Sequence, residues 1–428
     1  MHLKIHRGAR EIGGTCIELV SNGFHLVLDL GMPLVNPDGS PYELPRASSR
    51  ESLQTQGLLP EIPALFEAGK EDAAIILSHG HADHFGFSGY CAPGIPVYGT
   101  VGTRVLMEMT RLFQPAPPLP PILPLDKHVP QRIGPFTVTA WPVPHSAPDA
   151  VALLIEAEGK RLFYSGDLRS GGRTGRLFEM LLDCPPEDLD LMLLEGTTVG
   201  RAGPPSPTED EVEERLVEIV RGAGNLTMLF CSSQNLDRLV TAFRVAKRAG
   251  VTLVIDLNHA FVLHSLQFLS PRIPQVDWGG IRVKFWKPHA DAIAQAGRLD
   301  FLYQANRRKI RMPEIAAAPG RFLMLAKSNR FLRTVLRHLP SPATVPVIWS
   351  MWRGYWERDR NLRPLCQELG TEPVFLHAGG HASPGDLQRL VNALRPKMVL
   401  PVHTFHPEGF PVLFPQTRIL PDRECLEV

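Results

Sequence analysis

The chain has 428 residues, 44% hydrophobic and 21% charged, the profile of a soluble globular protein with room for two or three domains. Lys and Arg number 45 against 44 Asp and Glu, a formal charge of +1, so composition neither requires nor excludes a polyanionic partner and any basic surface must be local. No apolar run approaches the ~18 residues needed to cross a bilayer, which excludes a helical membrane protein. The six cysteines lack CxxC spacing, and the opening "MHLKIHRGAREIGG" has no apolar secretory core; together these point to a reducing, cytoplasmic setting. There is no internal repeat.

The first two hundred residues alternate short β-type runs with turns: "LKIHRG", "TCIELVSNG", "FHLVLDLGM", "AAIILSHG", "FTVTAWPVP", "VALLIEAEG", "RLFYSGD" and "LDLMLLEGT". Their length, β-branching and Gly or Asp punctuation predict strands in stacked sheets. The proline-dense interval from Pro115 to Pro130 predicts loop or extended chain. After Glu195 the texture changes. "SPTEDEVEERLVEIVRGAG" predicts a helix opened by Ser206 and Pro207, with acids in its first turn and Gly at its end. "LTMLFCSS", "QNLDRLVTAFRVAKRAG" and "VTLVID" follow as strand, helix and strand, the rhythm of a βαβ unit. "FLMLAKS" and "VPVIWS" predict buried strands, with "NRFLRTVLRHL" as a helix between them. The reading is an α/β protein in which residues 1–203 form a first domain, 204–371 an inserted α/β domain, and 372–428 return to the first. In the returning part "SPGDLQRLVNALRP" predicts a helix capped by Ser383, with "KMVLPVHTF" as the next strand and no further C-terminal module.

The stretch "IILSHGHADH" crowds His79, His81, Asp83 and His84 into six positions after an apolar run. In a loop following a strand, His79 and His81 at alternate positions can converge on one point, and the adjacent Asp83 and His84 can turn toward a second. Two cations would use all four. Imidazole nitrogen and carboxylate oxygen suit zinc, and mixed N/O sets belong to catalytic sites more than to structural ones, which add thiolates.

"HGHADH" resembles the HxHxDH signature of the metallo-β-lactamase fold. His145 in "WPVPHSAPDA" resembles that family's next histidine, and Asp167 in "LFYSGDLR" its bridging aspartate. The stretch "LHAGGHASPGDLQRLVNALRPKMVLPVHTF" is similar to the β-CASP nucleases, including ribonuclease J. "REIGGTCIEL" and "LVLDLGM" near the start fit that comparison too. The resemblance implies an αββα sandwich interrupted by a β-CASP domain, and two Zn2+ ions, with Mn2+ as the alternative. It implies one ion on His79, His81 and His145, the other on Asp83, His84 and His403, and Asp167 between them. Asp83, Glu195 and His381 are the implied catalytic residues. The implied activity is hydrolysis of phosphodiester bonds in RNA, single-stranded by expectation. The rivals are a DNA nuclease, a small-molecule metallo-hydrolase and a non-catalytic nucleic-acid-binding subunit; oligomeric state is left open.

Phosphodiester hydrolysis needs a nucleophile, charge neutralisation and a proton for the leaving oxygen, and two metals supply the first two. His381, a histidine before a helix N-terminus, is suited to the third, while Glu195 can orient a ligand or the attacking water. Ser232 and Ser233, with Gln234, stand at a helix start as a phosphate cradle or as caps. His377 and His406 are substrate contacts or ordinary loop histidines. Asp29 is expected to order the loop under the metals. "WSMWRGYWERDR" sets Trp349, Trp352, Tyr355 and Trp356 beside Arg353, Arg358 and Arg360, a pattern that serves either core packing or single-stranded nucleic acid.

Overall fold

The computed structural model describes residues 1–36, 40–45, 48–67, 69, 72–114 and 118–428. The chain divides into two units: Met1–Ser170 with Thr174–Pro205 and Gly380–Val428, and Gly171–Arg173 with Ser206–Gly379.

The first unit holds two sheets. In spatial order the seven-stranded one runs Cys425–Glu427, His2–Arg7, Cys16–Ser21, Phe24–Leu28, Ala73–Ile76, Val97–Gly99, Ile122–Pro124. The six-stranded one runs Val399–Val402, Leu191–Glu195, Lys160–Tyr164, Val151–Ala157, Phe136–Pro142, Gln131–Ile133. Alternate residues of both sheets, among them Leu3, Ile5, Leu26 and Ile76 on one and Val138, Leu153, Leu193 and Leu400 on the other, form one buried core. The intervening residues face outward into helices. Phe163, Met192 and Leu194 pack with Phe178 of helix Arg176–Asp183 and Leu387 and Leu390 of helix Pro384–Leu394. On the opposite side Val27, Ile75 and Val97 pack with Leu53 and Met107 from helices Arg50–Thr55 and Val101–Phe113. Helix, sheet, sheet, helix is the expected layer order.

The second unit is a seven-stranded, all-parallel sheet in the order Lys309–Ile310, Ile281–Lys284, Thr252–Asp256, Phe322–Ala326, Thr227–Phe230, Val347–Trp349, Val374–Phe375. Parallel strands need crossovers, which helices such as Glu209–Gly222 and Leu236–Ala249 provide. Those two helices are pinned by a buried ion pair, Arg238 Nη2 to Glu209 Oε1 at 2.9 Å, with Thr241 Oγ1 donating to Glu209 Oε2 at 2.8 Å. Arg238 also donates to Ser350 Oγ.

Several sequence expectations shift. Thr208, not Ser206, caps the helix Glu209–Gly222, because a reciprocal pair with Glu211 satisfies two amide donors there. "NRFLRTVLRHL" is helical only over Leu332–Leu336. In the proline interval Ile122–Pro124 is an edge strand, a position where a missing N–H is tolerated; residues 115–117 lie outside the described residues. The return to the first unit falls at Gly380 instead of 372, since Val374–Phe375 pair with Val347–Trp349 and extend the second unit's sheet.

Candidate metal centre

Three neighbouring parallel strands of the six-stranded sheet, Lys160–Tyr164, Leu191–Glu195 and Val399–Val402, end at one edge. Asp167 lies just past the first, Glu195 closes the second, and His403 follows the third. His79 comes shortly after Ala73–Ile76, His81 leads into the short helix Ala82–Phe85 that carries Asp83 and His84, and His145 follows Phe136–Pro142. Convergence at strand carboxyl ends is thus a consequence of strand direction. His403 and Asp29 both take left-handed backbone conformations, φ 52° and 58°, to aim their side chains inward. Gly31 has to be glycine for a different reason, because a Cβ there would lie 1.7 Å from the carbonyl oxygen of Asp83.

The donors fall into two groups. His79 Nε2 and His145 Nε2 each lie 3.2 Å from His81 Nδ1. Asp83, His84, Asp167 and His403 form the second group, with His84 Nε2 3.2 Å from Asp167 Oδ2 and His403 Nε2 3.5 Å from Asp83 Oδ2. Asp167 Oδ2 is also 3.9 Å from His79 Nε2, so its carboxylate stands between the groups. Four of the five rings have their other nitrogen occupied. His145 Nδ1 donates to the carbonyl of Gly380 at 2.7 Å, and His84 Nδ1 to Asp29 Oδ2 at 2.7 Å. His403 Nδ1 pairs with Thr197 Oγ1 at 2.8 Å, and His79 Nδ1 with Ser78 Oγ at 3.1 Å. Those partners fix the tautomers of these four rings and leave one lone pair on each directed at the groups.

This arrangement fits cations. His84 Nε2, His403 Nε2 and Asp167 Oδ1 are buried and have no hydrogen-bond partner among the described residues. Such atoms are costly unless something cationic or protic completes them. Burial, reinforced by His84 and neighbouring rings, drives His79 well below the ordinary histidine range; burial also takes His81 down to about 4 and His145 well below its usual range. Neutral imidazoles are the metal-binding form. Burial opposes the charge of Asp83 and Asp167, yet the surrounding histidines outweigh it and hold both carboxyls well below the usual range. The donor set is imidazole and carboxylate without thiolate, which suits zinc with open positions and tolerates manganese.

At the rim His381 Nδ1 lies 3.2 Å from Glu195 Oε2 and 3.7 Å from Asp167 Oδ2. Burial pushes its pKa down, but Glu195 and Asp167 outweigh that and raise it. Glu195 is fully inside, accepting from the backbone N–H of Leu168 and of Thr197, each at 3.2 Å.

Every metal and catalytic candidate read from the sequence, His79, His81, Asp83, His84, His145, Asp167, Glu195, His381 and His403, is brought together in the first unit. The substrate candidates Ser232, Ser233, His377 and Arg353 all lie in the second unit. Neither serine caps the helix that follows them; Asn235 does, while Ser233 Oγ is 3.4 Å from Lys327 Nζ. His377 Nδ1 donates to the carbonyl of Ser350 at 3.1 Å, and Arg353 lies over the Phe375 ring. His406 is a surface partner of Glu408. Sequence reasoning missed Ser78, Tyr164, Thr197 and the Gly380 carbonyl as supports. For Thr197 the signal was its place two residues after Glu195; a backbone carbonyl leaves none.

Residues 52–229 match the family model for the beta-lactamase superfamily domain. Ribonuclease J of Sinorhizobium meliloti is 24% identical over 364 residues, covering 81% of this chain and 60% of its own length. Ribonuclease J of Mycobacterium tuberculosis is 25% identical over 432 residues, covering 92% of this chain and 67% of its own. The chain therefore spans about three fifths to two thirds of these relatives. A crystal structure of a protein of unknown function from Enterococcus faecalis V583 shares the fold, with a TM-score of 0.80, 23% identity and 99% of both chains covered. Fold, motifs and relatives define a protein of the metallo-β-lactamase superfamily. Over most of its length the chain is similar to ribonuclease J proteins.

Proposed function

We propose that the chain is a metal-dependent ribonuclease that hydrolyses phosphodiester bonds of single-stranded RNA with two zinc ions, manganese being the alternative. The observation that carries this reading is the placement of Asp167 between a three-histidine group and a second group of Asp83, His84 and His403, with His381 backed by Glu195 beside it. His79, His81 and His145 would hold one cation; Asp83, His84 and His403 the other; Asp167 both. Cations there would neutralise the phosphoryl oxygens and lower the pKa of the attacking water. Glu195 holds His381 by Nδ1 and favours its charged form, which leaves Nε2 to pass a proton to the leaving oxygen as the P–O bond breaks. Asp83 turns with His84 on one short helix, so its carboxylate also helps order the attacking water.

The second unit is assigned as the β-CASP domain, with Ser232, Ser233, His377 and Arg353 as substrate contacts. The six cysteines of the whole chain are free, which suits the proposed cytoplasmic setting, and no helix among the described residues is long and apolar enough to cross a membrane. The deciding experiment incubates purified protein with end-labelled single-stranded RNA and DNA of one sequence, with zinc, manganese or chelator. RNA cleavage that depends on metal supports the reading; preference for DNA, or cleavage that survives full metal removal, overturns it.

A further inference from the structure

The segment from Met351 to Arg363 carries four arginines against two acids in a chain whose overall charge is +1. The structure splits its aromatics into two sets. Trp349 is buried, stacked on Phe230, and Trp356 packs on its edge, so these two serve the core. Trp352, Tyr355 and Phe375 are 44%, 46% and 38% exposed. The Trp352 and Tyr355 rings stand nearly perpendicular with centroids 5.3 Å apart. Gly354 lets the Trp352 ring lie against the backbone, since a Cβ there would come within 2.2 Å of it. Phe375 sits in the last strand of the second unit's sheet, and the Arg353 guanidinium lies 4.7 Å from its ring centroid. Among the described residues Arg353, Arg358 and Arg360 join no ion pair.

Exposed rings held in fixed orientations, with Arg353 over one of them and the exposed Arg358 and Arg360 a few residues further along the chain, match the needs of a single-stranded polynucleotide, whose bases stack on rings while arginines meet phosphates. A duplex has no unstacked base to offer such rings. The geometry points to Trp352, Arg353, Tyr355, Arg358, Arg360 and Phe375 as a stacking platform on the second unit that binds single-stranded RNA without reading its sequence. The choice of RNA rests on the proposed ribonuclease activity; the platform itself rests on these side chains.

The test is fluorescence anisotropy of a labelled 20-nucleotide uridine RNA with the full chain carrying Asp167→Asn to prevent cleavage. Trp352→Ala should weaken binding about 5- to 100-fold, the range of one lost stacking contact, and Trp352→Phe should restore most of it. The triple change Arg353→Ala, Arg358→Ala and Arg360→Ala should lower the salt slope by about 2, at roughly 0.7 per phosphate contact. Its residues are exposed, so it tests the proposal even if Trp352→Ala misfolds. Binding within twofold in both variants, with an unchanged salt slope, overturns the platform. Turnover of bis(p-nitrophenyl) phosphate by the same variants with Asp167 intact separates the two ideas. Lost RNA binding in a chain that cleaves no RNA would leave the platform standing and remove the ribonuclease reading. Normal binding by the variants of a chain that does cleave RNA would do the reverse.

Discussion

His381 Nδ1 and Glu195 Oε2 are 3.2 Å apart, and the glutamate is itself clamped by two backbone N–H groups, so the imidazole is held by a carboxylate that cannot swing away. A ring fixed in this way leaves its other nitrogen unengaged by Glu195, and the carboxylate favours its protonated form.

The first prediction follows from that pair. His381→Ala should retain metal and RNA binding yet cleave about 10²- to 10⁴-fold more slowly. The deficit should shrink on a nitrophenyl phosphodiester, whose leaving group needs no proton. An equal deficit on both substrates would transfer His381 from proton donor to phosphate positioning. Glu195→Gln should show the same substrate dependence, more weakly.

The second concerns Asp167, whose carboxylate faces both donor groups. Asp167→Asn should lower metal content measured by elemental analysis from near two ions per chain and abolish cleavage, because an amide supplies no anionic bridge. His403→Ala should lose about one ion and spare the three-histidine group. Full occupancy in Asp167→Asn would remove the bridging role.

A third prediction isolates Asp29. It accepts from Ser78 N and Oγ, His84 Nδ1 and Tyr164 Oη, all at 2.7 Å, in a site closed to water. Asp29→Ala strands four buried donors and should cost on the order of 3–5 kcal/mol in urea denaturation, together with weaker metal retention. A loss below about 1 kcal/mol would show that the loop beneath the metals holds without it.

The fourth lies in the second unit. Arg238→Ala leaves Glu209 buried without its cation and should destabilise by about 3–5 kcal/mol. Replacing both, Arg238→Met with Glu209→Leu, should recover most of that in the same denaturation series, since the penalty belongs to the stranded charge.

Much of the site was legible because its chemistry is local: His79, His81, Asp83 and His84 sit within six residues, and strands such as Phe24–Leu28 and Leu191–Glu195 have the apolar texture of buried sheet. What sequence could not supply was set by tertiary pairing. Val374–Phe375 form a two-residue strand too short to show a period, so the boundary at Gly380 depended on which sheet had a vacant edge. Likewise Thr208 displaced Ser206 as cap because Glu211 is free to close the reciprocal pair, whereas Glu209, three residues after Ser206, is held by Arg238 and Thr241. Helix Val101–Phe113 was missed although its buried side is regular, since Thr100 caps it without a following acid.

The order of ligands along the chain has a consequence for biosynthesis. The ribosome makes the chain from its N-terminus, so the strand Val399–Val402 and His403 emerge after the whole second unit has been made. Any product that stops before residue 403 carries the three-histidine group and Asp167 but lacks the ligand that completes the second group. If the centre works as proposed, nascent and prematurely ended chains would hold an incomplete second group, and cleavage would await the last-made strand of the six-stranded sheet.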